Sequence, residues 1–190
     1  MAEANFLWVD CEFTSLNDYH PEMDAIWEIA LVATDDRLRR LSSFTAFIEQ
    51  DAETIAALAQ RTWWAEHPED YLRMCGAVKI GAAPETVDKQ LVDFTLEHFG
   101  DKKVIIAGNS IGNDKRRIEF TFPKFFSKLS HQVLDVTSFR KWGQSVTSLE
   151  FNRPEHERHK AMRDIELSIE ELIFWHNALA QSEPFRLGQD

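Results

Sequence analysis

The chain has 190 residues, with 32 acidic against 21 basic side chains and a formal net charge of −11. That length suits one domain, and a hydrophobic fraction of 44% excludes a disordered chain. The acidity excludes a coat for long nucleic acid, whose grip depends on neutralised phosphates. It does not exclude a small pocket in which bound cations reverse the local sign. Cys11 and Cys75 lack metal-ligand spacing and are expected as free thiols in a reducing compartment. The start MAEANFLWVD has neither a basic stretch nor a long apolar run, and no segment approaches the ~20 apolar residues of a membrane span. A soluble, cytoplasmic protein is expected.

The run 5–10 (NFLWVD) predicts a short buried strand, followed by a polar, turn-rich stretch over 11–21. Ile26–Thr34 and 41–48 predict a second and a third strand, and the short charged link DDRLRR predicts a hairpin between them. Helices are expected over 52–60 and 62–74, with Pro68 at a break or a first turn. Pro84–Phe99 predicts a stronger helix. Pro84 suits its first turn, Val87, Leu91, Phe94, Leu96 and Phe99 mostly recur at helical spacing, and Gly100 stops it. A buried strand over 103–107, a helix over 111–122 stopping at Pro123, a short strand over 133–136 and a helical piece over 138–142 follow; 143–158 reads as loop. The last helix starts near Lys160, with an apolar face of Ala161, Ile165, Ile169, Leu172, Ile173 and the ring of His176. Three strands in a meander, then helices alternating with two further strands, predict an α/β fold: a mixed five-stranded sheet with helices on its faces.

Asp10 and Glu12 stand at the end of the first apolar run. On a strand, residues i and i+2 share a face, so the two carboxylates repel each other unless a cation joins them. Asp114, in GNSIGND after the fourth strand, reads by itself as a helix N-cap, the commoner role for Asp at such a place. His159 and Asp164 form H-x-A-x-x-D at the last helix, where a histidine just before the helix and an acid in its second turn can reach one site. Each feature has an ordinary reading as a turn residue or solvated charge. Together, three segments offer four carboxylates, which match what two divalent ions ~4 Å apart need in phosphoryl transfer. Oxygen donors select Mg2+ or Mn2+ over zinc. The histidine adds a base that titrates near neutrality.

The blocks LWVDCEFTSLN, IWEIALVATD, IAGNSIGNDKRRI, VLDVTS and HKAMRDIELSIEEL resemble the DEDDh 3′→5′ exonucleases, most closely the oligoribonuclease-like group, over nearly the whole chain. The resemblance implies a ribonuclease H-like fold, a single exonuclease domain over 1–182 and a tail over 183–190. It implies metal-binding acids at Asp10, Glu12, Asp114 and Asp164, a general base at His159 and two divalent cations. The implied substrate is a very short oligonucleotide, RNA favoured and short DNA possible, cut to nucleoside 5′-monophosphates by a homodimer. An apolar wedge maps to Leu16, a base-holding aromatic to Trp63 or Trp64, and a contributor to the 5′-phosphate cap to Ser110. The chain departs from the family before LDV, where His131 and Gln132 stand in place of a Tyr that reaches the partner's site and an Arg that binds phosphate. Losing the Arg removes a fixed bidentate contact, and His131 becomes the candidate for the reach across. The pattern over 143–158 also departs. Two other readings stand beside this one. An exonuclease trimming longer 3′ ends wants a basic path, for which the clusters at 115–117 and 153–163 are the candidates. The other is a catalytically silent ribonuclease H-like module that binds nucleic acid or protein.

Overall fold

A computed structural model describes residues 4–15, 25–58, 61–154 and 159–181. In chain order the elements are β1 (Phe6–Phe13), β2 (Ile26–Thr34), β3 (Arg40–Phe47), α1 (Ala52–Leu58), α2 (Thr62–Glu66), α3 (Pro68–Lys79), α4 (Pro84–Phe99), β4 (Val104–Gly108), α5 (Gly112–Thr121), α6 (Pro123–Phe126), β5 (Leu129–Asp135), α7 (Val136–Val146) and α8 (Ala161–Ala180). The five strands form one mixed sheet in the order β3-β2-β1-β4-β5. β1, β2 and β3 run antiparallel as the meander predicts, and β4 and β5 add in parallel. Parallel neighbours need a crossover, which the intervening helices provide. All nine residues of β2 are buried, which is why IWEIALVAT reads as a continuous apolar run.

The alternation along β1 divides the molecule. Leu7, Val9 and Cys11 pack with Val87, Leu91 and Phe94 of α4 and with Ile118, Phe122 and Phe125. Trp8 points to the other face and packs with Ala30, Val32, Ala107, Val136, Ala161, Ile165 and Leu172. The same period of two sends Asp10 and Glu12 to the face that α8 covers. A third cluster of Trp27, Leu58, Trp64, Met74, Ala77 and Val78 seats α1–α3.

Several boundaries differ from expectation. β1 does not end at Asp10. It stays paired with β2 through Glu12, so the two acids sit inside a strand rather than in a turn. The expected 62–74 helix breaks at Pro68, the position expected for a break or a first turn, but its second part runs on to Lys79 because Ala77 and Val78 are also buried. Pro123 stops one helix and opens α6, since a proline suits a first turn. β5 starts at Leu129, with exposed polar residues that carry no strand signal.

The largest departure is α7, which continues to Val146 where a loop was expected. Gly143 is the cause of the misreading. It weakens the helical pattern, yet a β-carbon there would lie 2.2 Å from Cε3 of the fully buried Trp175. The glycine is what lets α7 lie against α8. On α8, Ile173 and His176 are exposed, whereas Glu171 is fully buried.

Candidate active site

Asp10 and Glu12 from β1 meet Asp164 from the first turn of α8, with one carboxylate oxygen of each within 4.8 Å of the others. Asp164 therefore stands one turn earlier than expected. Asp114 lies in the first turn of α5 and is 5% exposed. It is not the N-cap of its helix, a position held by Ile111. Its Oδ1 accepts the backbone N–H of Cys11 at 2.9 Å, tying it to the strand between Asp10 and Glu12. All four acids line one cavity of about 700 Å³.

Their electrostatics show why they belong together. Burial pushes the Asp10 carboxyl well up, and Asp114, Glu12 and Asp164 push it further, while Arg153 pulls it back. Glu12 is pushed up to about 8, first by burial and against the pull of Arg73. Asp114 rises to about 7, again by burial, although the Cys11 backbone N–H holds it down in part. Hard oxygen donors that repel one another need a proton or a cation between them. The donor set thus fits divalent metal, the coarse requirement of this site.

His159 stands just before α8 with φ 64°, in the left-handed region. It lines the same cavity. Its ring meets Trp63 edge-on, with centroids 5.5 Å apart. Trp63 is 40% exposed and stacks flat on His67. The adjacent Trp64 is buried and donates its indole N–H to the Thr14 carbonyl at 2.9 Å. The two tryptophans thus divide into an exposed face and a core anchor. Leu16 lies outside the described residues. Ser110 lines the cavity, and its hydroxyl is 3.1 Å from Thr137 Oγ1. His131 and Gln132 stand exposed on the edge strand β5, and neither lines this cavity.

Sequence reasoning missed Arg61 and Arg140, and it named Arg153 only within a basic cluster. Arg61, Arg140 and Arg153 all line the cavity. Arg140 Nη2 donates to Thr137 Oγ1 at 3.2 Å and to Asn109 Oδ1 at 3.3 Å, while Nη1 pairs with buried Glu171 at 3.5 Å. Arg153 pairs with Asp164 at 3.6 Å and with Glu171 at 4.0 Å. Two of the three basic residues at 115–117 are engaged within the fold. Arg117 is buried with its guanidinium over Phe13, and Lys115 donates to the carbonyls of Ser130 and His131. Among the described residues no helix is long and apolar enough to cross a membrane.

A family model described as RNase_T, Exonuclease matches residues 7–172. Curated relatives include the oligoribonuclease of Cutibacterium acnes, 26% identical over 94% of this chain and 87% of that protein. The oligoribonuclease of Nitrosomonas europaea is 29% identical over 92% and 95%. Among solved structures, a zinc-bound Escherichia coli exonuclease I complex with single-stranded DNA superposes with a TM-score of 0.64 at 12% identity, covering 94% of this chain. The chain spans about 41% of the length of that protein, and the likeness shows the ribonuclease H-like fold. With the family model matched from β1 into α8, the chain belongs to the RNase_T exonuclease family and is a 3′→5′ exonuclease.

Proposed function

We propose that this exonuclease hydrolyses very short oligonucleotides, dinucleotides or slightly longer, to nucleoside 5′-monophosphates, with two Mg2+ or Mn2+ ions held by Asp10, Glu12, Asp114 and Asp164. The observation that carries the reading is a cavity of about 700 Å³ with four acids, an exposed tryptophan and three arginines on its wall. A space of that size encloses a small ligand, and a body of charge −11 offers long chains little phosphate attraction. RNA is favoured, in line with the oligoribonuclease relatives, and short DNA remains within the same chemistry. The protein acts as a cytoplasmic homodimer in which His131 reaches the partner's cavity.

When bound, the cations activate the attacking oxygen and offset charge on the leaving oxygen. His159 takes the proton from the attacking water, a task suited to imidazole, because hard cations take the carboxylates in preference. The Trp63 face offers a stacking surface to a base. Ser110, Thr137 and Arg140 form two hydroxyls and a cation in one patch, where a terminal phosphate is received. Arg140 supplies there the charge that Gln132 lacks.

The test is hydrolysis of 5′-labelled RNA and DNA of two to about twenty nucleotides with Mg2+ or Mn2+. Rates should fall steeply with length, and products should be 5′-monophosphates released from the 3′ end. Equal rates across the series would leave the exonuclease and remove the short-substrate reading.

A further inference from the structure

Arg73 of α3 does not line the cavity, yet three independent contacts converge on it. Its Nη1 donates to Glu28 Oε2 at 2.6 Å. Its Nη2 donates to the backbone carbonyl of His159. Its guanidinium lies 4.5 Å over the Trp27 ring. Glu28 and Trp27 are both buried residues of β2, which lies between β1 and β3 in the sheet. Glu28 is also the register partner of Glu12 across β1 and β2. One planar fork therefore joins the rigid sheet, at the level of the acid cluster, to the turn that presents His159.

That turn needs an anchor. His159 has φ 64°, a conformation that a residue with a β-carbon adopts at a cost and keeps only where its surroundings hold it. The hydrogen bond from Arg73 falls on this residue's own carbonyl. We propose that Arg73 is a positioning residue, clamping the His159 carbonyl to the Glu28 anchor and so setting where the imidazole stands relative to Asp10, Glu12 and Asp164. The proposal rests on the reading of His159 as general base. A lysine keeps the charge beside Glu28 but cannot span both partners, since only guanidinium presents a fixed fork of donors. The pull of Arg73 on the Glu12 carboxyl is consistent with the same placement.

The experiment uses the full chain, with Arg73→Lys, Arg73→Ala and Glu28→Gln compared to wild type on a ribodinucleotide with Mn2+. For Arg73→Lys and Arg73→Ala, kcat should fall ~10–100-fold, the scale of a small misplacement in the site. KM should move less than about threefold, because no substrate contact is removed. Guanidinium chloride at low millimolar concentration should restore part of the Arg73→Ala rate, a rescue that a purely structural role would not give. Glu28→Gln should lower kcat by a smaller factor, and it carries the test if Arg73→Ala does not fold. Amide hydrogen exchange at Lys160 and Ala161 should quicken in the Arg73 variants while the rest of α8 keeps its protection. A kcat within twofold of wild type for both Arg73 variants, or a loss confined to KM, overturns the proposal. An inactive wild-type chain would instead sink the functional reading. The exchange comparison then decides the clamp alone, and unchanged exchange refutes it.

Discussion

Glu12→Gln separates the electrostatic cost of the acid cluster from its chemistry. Burial raises the Glu12 carboxyl from 4.5 to about 8. The folded, metal-free protein therefore binds this proton more tightly than the unfolded chain does. The stabilisation is fully present below pH 4.5 and is lost as pH rises through about 8. At pH 7 the interval above 4.5, at ~1.4 kcal/mol per pH unit, amounts to about 3 kcal/mol. Glu12 keeps some surface on the cavity, and water returns part of that penalty, so a gain of about 1–3 kcal/mol is expected. For a chain of this length that is about 3–10 °C in melting temperature. The assay is thermal melting in chelator from pH 5 to pH 9. Wild type should lose stability across pH 5–8, in the direction that Asp10 and Asp114 also push. Glu12→Gln should melt higher at pH 8 and show a shallower decline. Saturating Mn2+ should reverse the order, since the cation stabilises the intact carboxylate set, and hydrolysis should be lost in the variant. A chelated Glu12→Gln protein that melts below wild type at pH 8 would refute the reasoning.

The other substitutions probe separate contacts. His159→Ala should cut turnover by the ~10²–10⁴ of a lost general base while calorimetric Mn2+ binding survives; loss of both together would make it a ligand. Asp10→Ala should nearly abolish hydrolysis without unfolding the chain, as seen by activity beside circular dichroism. Trp63→Ala should raise KM for a dinucleotide with little change in melting, whereas Trp64→Ala should destabilise by about 3–5 kcal/mol in denaturant titration. Gly143→Ala should cost at least about 1–3 kcal/mol, because its β-carbon would meet the buried Trp175 ring at 2.2 Å; a neutral result would mean that α7 does not pack as described.

The sheet and the Asp10–Glu12 pair were legible because each rests on a short-range rule. The continuous run IWEIALVAT marks a strand buried on both faces, and the period of two in β1 puts Asp10 and Glu12 on one side. Helix α4 was legible to the residue, since Pro84 and Gly100, the latter at φ 64°, frame an amphipathic run. Singling out Asp114 and Asp164 needed the family pattern, because nothing local sets either apart from an ordinary first-turn acid. β5 and α7 failed for opposite reasons. The exposed residues of β5 leave no apolar alternation to read, and the packing reason for Gly143 lies 32 positions away, at Trp175.

The arginine network was illegible for a deeper physical reason. Glu170 and Glu171 are neighbours on α8 and look alike in sequence, yet one is exposed and the other fully buried. A buried carboxylate is tolerable only with charged and hydrogen-bonding partners around it. Those partners are Arg140 from α7, Arg153 from the segment after it, Asn109 from the end of β4 and Trp175 one turn along α8. They converge only once the sheet has closed. The chain thereby holds two guanidinium groups at the cavity wall by pairing them with an acid that faces the core. Glu171 thus shares its charge with Arg140 and Arg153, and Arg153 shares its own with Asp164 of the acid cluster. Arg153 shows the balance directly, since it reaches Asp164 at 3.6 Å and Glu171 at 4.0 Å. An acidic protein thus gains arginines on the cavity wall beside its acid floor, the arrangement on which the proposed preference for a short, few-phosphate substrate rests.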